Sequence, residues 1–166
     1  MANRPEVGER APTFTLLADT GKTVRLADFR GQPVVLYFYP KDDTPGCTKE
    51  ACSFRDERSE FAKAGAVVLG VSGDDVASHR RFAEKFHLTF PLLSDPDFAV
   101  CKAYGVYKQK SMYGRTYWGI ERTTFVIDPQ GRIAAIFPKV SVEGHADAVL
   151  DTLKSQPASS ASHAGR

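Results

Sequence analysis

The chain has 166 residues, of which 42% are hydrophobic and 25% charged, and its formal net charge is +2. This size predicts one globular domain, and the near-neutral charge excludes a strongly basic nucleic-acid binder. The longest apolar run, residues 34–39, is too short to cross a bilayer, and the charged N-terminal segment predicts no signal peptide. Three cysteines are too few for a disulfide framework. We therefore expect reduced thiols in a soluble, cytoplasmic protein that does not bind membranes.

Short strands are predicted in the N-terminal part. Residues 13–17 and 23–26 flank a turn signal at residues 19–21 and predict a β-hairpin. Residues 34–39 are β-branched and aromatic without alternation, as in a strand that is buried on both faces of a sheet. This strand is expected to stop at Pro40.

Helices and strands alternate in the middle of the chain. Residues 48–63 contain no Pro or Gly and predict one charged amphipathic helix. Residues 66–71 predict a second buried strand. Asp74 and Asp75 are suitable caps for a helix that runs to about His87.

Shorter elements are predicted in the remainder. They are a strand at 90–93, a helix at 95–104, a polar and aromatic loop at 107–122, a hairpin of strands 123–127 and 132–137, and a helix at 143–154. Residues 156–166 lack any large apolar side chain and predict a disordered tail after a domain of residues 1–155. The order of elements predicts an α/β fold, in which helices flank a central mixed β-sheet extended by the N-terminal hairpin.

The segment 40–52 joins a buried strand to a helix and contains two cysteines. Thr44 is a good N-cap and Pro45 a favoured first helical residue, which places Cys47 in the first turn. There the free backbone amides and the helix dipole stabilise a thiolate, the reactive form. The Thr44 hydroxyl is expected within reach of the sulfur or a substrate oxygen, while Pro40 stiffens the loop and shields the thiolate. Position alone leaves open a purely structural, buried cysteine.

Cys52 follows Cys47 by five residues in the predicted helix. A five-residue step separates the Cα atoms by about 8 to 9 Å, whereas a disulfide needs less than about 7 Å. These two cysteines therefore form a disulfide only after the first helical turn unwinds.

Metal binding is not predicted. Zinc sites prefer close Cys or His pairs, and the four histidines of the chain show no such grouping near the cysteines. A thioredoxin-type Cys-x-x-Cys is also absent. His79 and His87 lie on a charged helix and are expected to be solvated or lightly packed.

Residues 40–47 match the peroxiredoxin active-site pattern Pro-x-x-x-Thr/Ser-x-x-Cys. The chain resembles the bacterioferritin-comigratory-protein (Q-type) subfamily of peroxiredoxins in the runs GERAPTFTLLADTGKTVRLADFRGQPVVLYFYP, FPLLSDPDFAVCKAYGV and YGRTYWGIERTTFVIDPQGRI. The resemblance covers about residues 7–154 and implies a thioredoxin-like fold and a thiol peroxidase.

The resemblance also implies roles for individual residues. Cys47 corresponds to the peroxidatic cysteine, which attacks the peroxide O–O bond and becomes a sulfenic acid. Pro40 would shield it, and Thr44 would orient the peroxide oxygens. Arg122, by its position alone an ordinary surface charge, corresponds to the family's arginine and would stabilise the thiolate and the leaving oxygen. Glu50 either holds an arginine in place or is a solvated helix charge.

Cys52 is similar to the resolving cysteine of those members that have one in this helix. It would attack the Cys47 sulfenic acid and give an intramolecular disulfide, which thioredoxin would reduce. NADPH would act only through thioredoxin reductase, so the chain itself is expected to need no cofactor and no metal. Cys101 is expected to be structural, with a role as an alternate resolving thiol as the second possibility.

The resemblance favours a thioredoxin-dependent peroxidase of antioxidant defence that acts on hydrogen peroxide and organic hydroperoxides. The alternatives are a peroxide-sensing thiol-disulfide exchange protein on the same fold and a non-catalytic interaction protein. The basic and aromatic residues 108–115 are expected to wall the active-site pocket or to support self-association rather than to bind single-stranded nucleic acid. Monomer and weak homodimer both remain open.

Overall fold

The computed structural model describes residues 4–155, which form nine strands and five α-helices. The strands are β1 (Thr15–Ala18), β2 (Thr23–Arg25), β3 (Val34–Phe38), β4 (Val67–Ser72), β5 (Leu92–Ser94), β6 (Tyr107–Met112), β7 (Arg115–Ile120), β8 (Thr123–Ile127) and β9 (Ile133–Phe137). The helices are α1 (Pro45–Asp56), α2 (Arg58–Lys63), α3 (Val76–Phe86), α4 (Ala99–Ala103) and α5 (His145–Lys154). The tail expected at residues 156–166 lies outside the described residues.

Seven strands form one mixed sheet in the order β2-β1-β5-β4-β3-β8-β9, and β6 pairs with β7 in a separate ribbon. The central strand β3 pairs in parallel with β4 and antiparallel with β8. The N-terminal hairpin extends the sheet at one edge, because β1 also pairs with β5. The predicted α/β architecture with a central mixed sheet is therefore confirmed. None of the helices within residues 4–155 combines the length and the apolar character that a bilayer crossing needs.

The sheet separates two apolar cores. Every residue of β3 is buried, as its unbroken apolar sequence predicts. Leu36 and Phe38 belong to the core that also contains Cys101, whereas Val35 and Tyr37 belong to the core that contains Cys47. The two cysteines therefore lie on opposite faces of the sheet.

Two predicted helices are shorter than expected. The helix expected at 48–63 is divided into α1 and α2, because Glu57 leaves the helical conformation with φ −96° and ψ 16°. The helix expected from residue 95 begins at Ala99, since Phe98 adopts a left-handed conformation. Asp95 remains important there, because its carboxylate accepts hydrogen bonds from the amides of Val100 and Cys101.

The expectation of a loop at residues 107–122 is wrong. Most of this segment forms the β6–β7 ribbon, whose strands pair from Tyr107 with Ile120 to Met112 with Arg115. The turn residues Tyr113 and Gly114 have φ values of 53° and 78°, the combination that a two-residue hairpin turn requires. The two strands of the ribbon are largely polar and exposed, so their sequence shows no alternation of apolar and polar residues.

Candidate active site

The loop after β3 carries the chain into α1 and places Cys47 in the first helical turn, as predicted. Pro45 is the first helical residue, and Thr44 before it has extended dihedral angles. The first intrahelical amide bond runs from Thr48 to the Thr44 carbonyl, so the amides of Gly46 and Cys47 have no partner inside the helix. The Cys47 side chain is buried, with 1% of the residue exposed. A negative charge on this sulfur is thus stabilised by the helix N-terminus.

Arg122 lies directly before β8 and reaches the cysteine. Its Nη2 donates a hydrogen bond to Cys47 Sγ at 3.4 Å, and its Nη1 donates to Glu50 Oε1 at 2.6 Å. Burial alone would lower the pKa of Arg122, but the negative partners Glu50 and Cys47 raise it above its ordinary value. The guanidinium is therefore a permanent cation in contact with the sulfur. The expectation of an ordinary surface charge, which position alone supports, does not fit this geometry.

Glu50 is one helical turn after Cys47 and is 1% exposed, so it is not a solvated helix charge. Desolvation raises the pKa of Glu50 to about 7, although Arg122 acts in the opposite direction. Among the described residues, Glu50 Oε2 and the buried Tyr37 hydroxyl have no hydrogen-bond partner. Glu50 thus holds one side of the guanidinium and leaves the other side to the sulfur.

Ionisation of Glu50 is expected to destabilise the fold as the pH rises. Because the pKa of Glu50 is about 7 in the folded chain and 4.5 ordinarily, the folded state holds the proton more tightly. The free energy of unfolding should therefore fall between these two pH values, by at most about 3 to 4 kcal/mol. Urea unfolding of the wild type and Glu50→Gln across this range measures the effect. The difference in the free energy of unfolding between the two proteins should change with pH. If the two free energies change in parallel with pH, the raised pKa of Glu50 is contradicted.

Gly46 gives the guanidinium room, a feature that sequence reasoning missed. A Cβ atom at this position would lie 3.2 Å from Arg122 Nη2. Lys110 on β6 is close enough to the site for the charges of Arg122 and Cys47 to affect its pKa, which burial lowers. This proximity fits the expectation that residues 108–115 wall the active site.

The other predicted site residues lie near Cys47 in the chain, but the structure gives them different partners. The Thr44 hydroxyl donates to the Lys41 carbonyl at 2.9 Å and not to the sulfur. Pro40 is exposed at the start of the loop, directly after the buried Tyr39. These contacts leave the Thr44 oxygen with lone pairs that can accept a hydrogen bond from a ligand.

The remaining cysteines differ sharply in environment. All three cysteines are free thiols, and Cys52 is partly exposed on α1. Because α1 is continuous from Pro45 to Asp56, Cys47 and Cys52 keep the helical separation that prevents a disulfide. Cys101 is fully buried in the other core, and desolvation raises its pKa far above the ordinary range. Such a thiol is a poor nucleophile, which supports a structural role.

The expectation for His79 is wrong, whereas His87 is exposed at the C-terminus of α3. His79 has no exposed surface, and both of its ring nitrogens have polar partners. It lies on the inner face of an otherwise charged helix, where periodicity alone did not distinguish it from its solvated neighbours. Its main partner, Asp42, belongs to the loop before α1, 37 positions earlier in the chain, and no local sequence pattern indicates this contact.

The sequence and the fold of this chain are similar to those of known proteins. The sequence model of the AhpC/TSA family matches residues 7–136. A Bacillus subtilis protein named peroxiredoxin Bcp is 48% identical over 149 residues, which cover 90% of this chain and 95% of that protein. Xanthomonas campestris peroxiredoxin Q has a similar structure, with a TM-score of 0.86 and 46% identity over 90% of this chain and 98% of the other. A second structure from that organism, of a bacterioferritin comigratory protein studied for alkyl peroxide reduction activity, gives a TM-score of 0.85, 46% identity and the same coverage.

The chain therefore belongs to the AhpC/TSA family, whose thioredoxin-like fold it shares. Within that family it is a peroxiredoxin of the Bcp or Q group, and thus a peroxidase that reduces hydroperoxides. The resemblance found in the sequence is confirmed.

Proposed function

We propose that Cys47 is the peroxidatic cysteine and that Cys52 resolves its oxidised form. The observation that carries the proposal is the contact of Cys47 Sγ with the Arg122 guanidinium, at a helix N-terminus and out of water. Since Glu50 fixes the other side of Arg122, this cation is in place before substrate arrives. Fixed charges of this kind stabilise a developing negative charge without reorganisation.

In the first step the Cys47 thiolate attacks one peroxide oxygen. The O–O bond breaks, a sulfenic acid forms on Cys47, and the leaving oxygen takes a proton to become water or an alcohol. The Thr44 oxygen, whose proton is directed at Lys41, accepts the hydrogen bond of the peroxide O–H. Arg122 donates to the oxygen on which charge develops. The substrate class is hydrogen peroxide and organic hydroperoxides, in keeping with the alkyl peroxide reduction studied in the Xanthomonas campestris relative.

In the second step the Cys52 thiol attacks the sulfenic sulfur, releases water and forms an intramolecular disulfide. Helix α1 must unwind at its first turns for this bond to form, since both cysteines belong to one continuous helix. A dithiol protein such as thioredoxin then reduces the disulfide and is itself oxidised. We propose that the enzyme acts in the cytoplasm as a monomer or weak homodimer.

Replacing Cys52 with serine tests the resolving role. We expect Cys52→Ser to react with the first equivalent of peroxide at the wild-type rate, because Cys52 takes no part in the hydrogen bonds that join Cys47, Arg122 and Glu50. Steady-state turnover with thioredoxin, thioredoxin reductase and NADPH should fall to background, because no intramolecular disulfide forms. Stopped-flow fluorescence measures the first reaction and NADPH absorbance the second.

Cys101→Ala is the matched control, since it removes a thiol from the opposite core and should retain turnover. Normal turnover by Cys52→Ser would contradict the resolving role. A wild type that oxidises rapidly but never turns over with any dithiol protein would instead favour a peroxide sensor.

A further inference from the structure

A buried polar network connects the active-site loop, residues 40–44, to helix α3. Asp42 lies at the centre of this loop and is 7% exposed. Its Oδ1 accepts a hydrogen bond from the Tyr39 hydroxyl at 2.6 Å, and its Oδ2 accepts one from Ser78 Oγ at 2.7 Å. The same Oδ2 is 2.7 Å from His79 Nδ1. Both oxygens of the carboxylate thus have hydrogen-bond partners inside the protein.

The backbone of the loop is held by a second carboxylate. The Asp42 amide donates to Asp74 Oδ2 at 2.8 Å, and the same oxygen accepts from Ser72 Oγ at 2.7 Å. Asp74 follows β4, so the loop is tied to the sheet as well as to α3. The next loop residue, Asp43, has a φ of 58°, a left-handed conformation that costs free energy and needs support from its surroundings.

The partners of His79 define its protonation state. Nδ1 faces the Asp42 carboxylate, and Nε2 is 2.9 Å from the Leu93 carbonyl oxygen. Both partners are acceptors, whereas a neutral imidazole has one N–H group and one lone pair. The imidazolium form therefore satisfies both contacts. Burial alone would lower the pKa of His79, but Asp42, the Leu93 carbonyl and Asp74 together raise it.

We propose that Asp42 and protonated His79 form a buried ion pair that positions the active-site loop, and with it Pro40 and Thr44, which precede Cys47 in the chain. This proposal rests on the function assigned above to Cys47. Asp42 is two residues from Pro40 and two from Thr44, so a shift of its anchored carboxylate moves both. Asp42 and His79 do not touch the sulfur, and they act as positioning residues.

The cluster also has the spacing of a cation site, because ligand atoms of Asp42, Asp74 and His79 lie within 4.8 Å of one another. The Asp42 oxygens already have Tyr39, Ser78 and His79 as hydrogen-bond partners. Asp74 Oδ2 already accepts a hydrogen bond from Ser72. A bound cation would have to displace the His79 proton. The network is therefore complete without a metal.

The ion pair should respond to a rise in pH. A raised pKa means that the stabilising pair is complete below the ordinary histidine value of 6.5 and is lost as the pH rises through the pKa of folded His79. The groups that face the ring are Asp42 of the loop, Tyr39 at the end of β3, Asp74 after β4 and the Leu93 carbonyl of β5. Loosening of the loop should then slow the reaction of Cys47 with peroxide as the pH rises.

The experiment compares Asp42→Asn, His79→Gln and their combination with the wild type. We expect each single variant to slow the reaction of Cys47 with hydrogen peroxide by about tenfold or more, because small displacements of positioning groups have effects of this size. The double variant should lose no more than the stronger single variant, since both remove the same pair. The decline in rate with rising pH should disappear in His79→Gln.

Glu84→Gln is the control, because it makes the same kind of change at an exposed carboxylate of α3 that is outside the loop and the network. Its rate should stay within about twofold of the wild type, as is usual for a surface substitution. Folded Asp42→Asn or His79→Gln that reacts at the wild-type rate would overturn the proposal, whatever its melting temperature.

Nitrogen-15 NMR of the wild-type imidazoles provides a test that needs no variant and does not depend on Cys47 chemistry. At pH 6 both ring nitrogens of His79 should carry protons, whereas His145, whose pKa burial lowers to about 4, should be neutral. A neutral His79 would overturn the ion pair. Loss of the His79 ring protons on addition of zinc or magnesium would also overturn it, because the cluster would then be a cation site. If the ion pair is present and Cys47→Ser still turns over, the proposed function fails instead.

Discussion

Replacing Cys47 with serine should abolish peroxide turnover. A serine hydroxyl is a far weaker acid and nucleophile than a thiol, so Arg122 and the helix N-terminus cannot supply the missing reactive anion. The substitution is nearly isosteric and leaves the hydrogen bond between Arg122 and Glu50 intact. Loss of activity therefore reports on the sulfur and not on the surrounding side chains. Peroxide consumption measured with thioredoxin and its reductase should fall to the rate without enzyme.

Cys101→Ser is the control for this prediction, because it makes the same atomic change in the opposite core. That variant should keep its activity when it is assayed below its melting temperature. Retention of rapid peroxide consumption by Cys47→Ser would contradict the assignment of the peroxidatic cysteine. In that case the partly exposed Cys52 would be the next candidate.

Replacing Arg122 with methionine should slow the reaction of Cys47 with peroxide by about 100-fold or more. The variant loses the donor to Cys47 Sγ and, with it, the cation that we propose stabilises the leaving oxygen. It also leaves the buried carboxylate of Glu50 without its partner, so the protein should become less stable as well. Stopped-flow measurement of the second-order rate constant separates the catalytic effect from the loss of stability, provided that the folded fraction is determined in parallel.

Two further variants separate the effect of the positive charge from that of the hydrogen bonds and control for the loss of an arginine. Arg122→Lys keeps the positive charge but cannot donate to Cys47 and Glu50 simultaneously from a planar group, so its rate should lie between those of the wild type and Arg122→Met. Arg81→Met removes an exposed arginine from α3 and should leave the rate unchanged. Equal rates for Arg122→Met and Arg81→Met would contradict a direct role of the guanidinium.

Local sequence signals were sufficient for the position of Cys47. Thr44 and Pro45 identify the start of α1, and the structure begins the helix at Pro45. The hairpin of β8 and β9 was equally predictable, because the turn residues from Asp128 to Gly131 lie between two apolar strands. The start of α1 and the β8–β9 hairpin are determined by residues that are adjacent in the sequence.

The features that the sequence left undecided depend on contacts between distant residues. Glu50 and Arg122 are 72 positions apart, and only the fold shows that burial makes the glutamate a partner of the arginine. Asp42 and His79 are 37 positions apart, and neither differs in local pattern from a surface residue. The β6–β7 ribbon was missed because its polar strands have no apolar period and its turn places a tyrosine at positive φ.

Intact mass spectrometry shows in one experiment whether peroxide oxidises Cys47 and whether Cys52 then captures the oxidised sulfur. Wild type, Cys47→Ser and Cys52→Ser are each treated with one equivalent of hydrogen peroxide. The wild type should lose two hydrogen atoms, Cys52→Ser should yield a sulfenic acid that a dimedone probe traps, and Cys47→Ser should keep its mass. A wild type that gains oxygen atoms without forming a disulfide would contradict the account, because unwinding of α1 would then have no role in turnover.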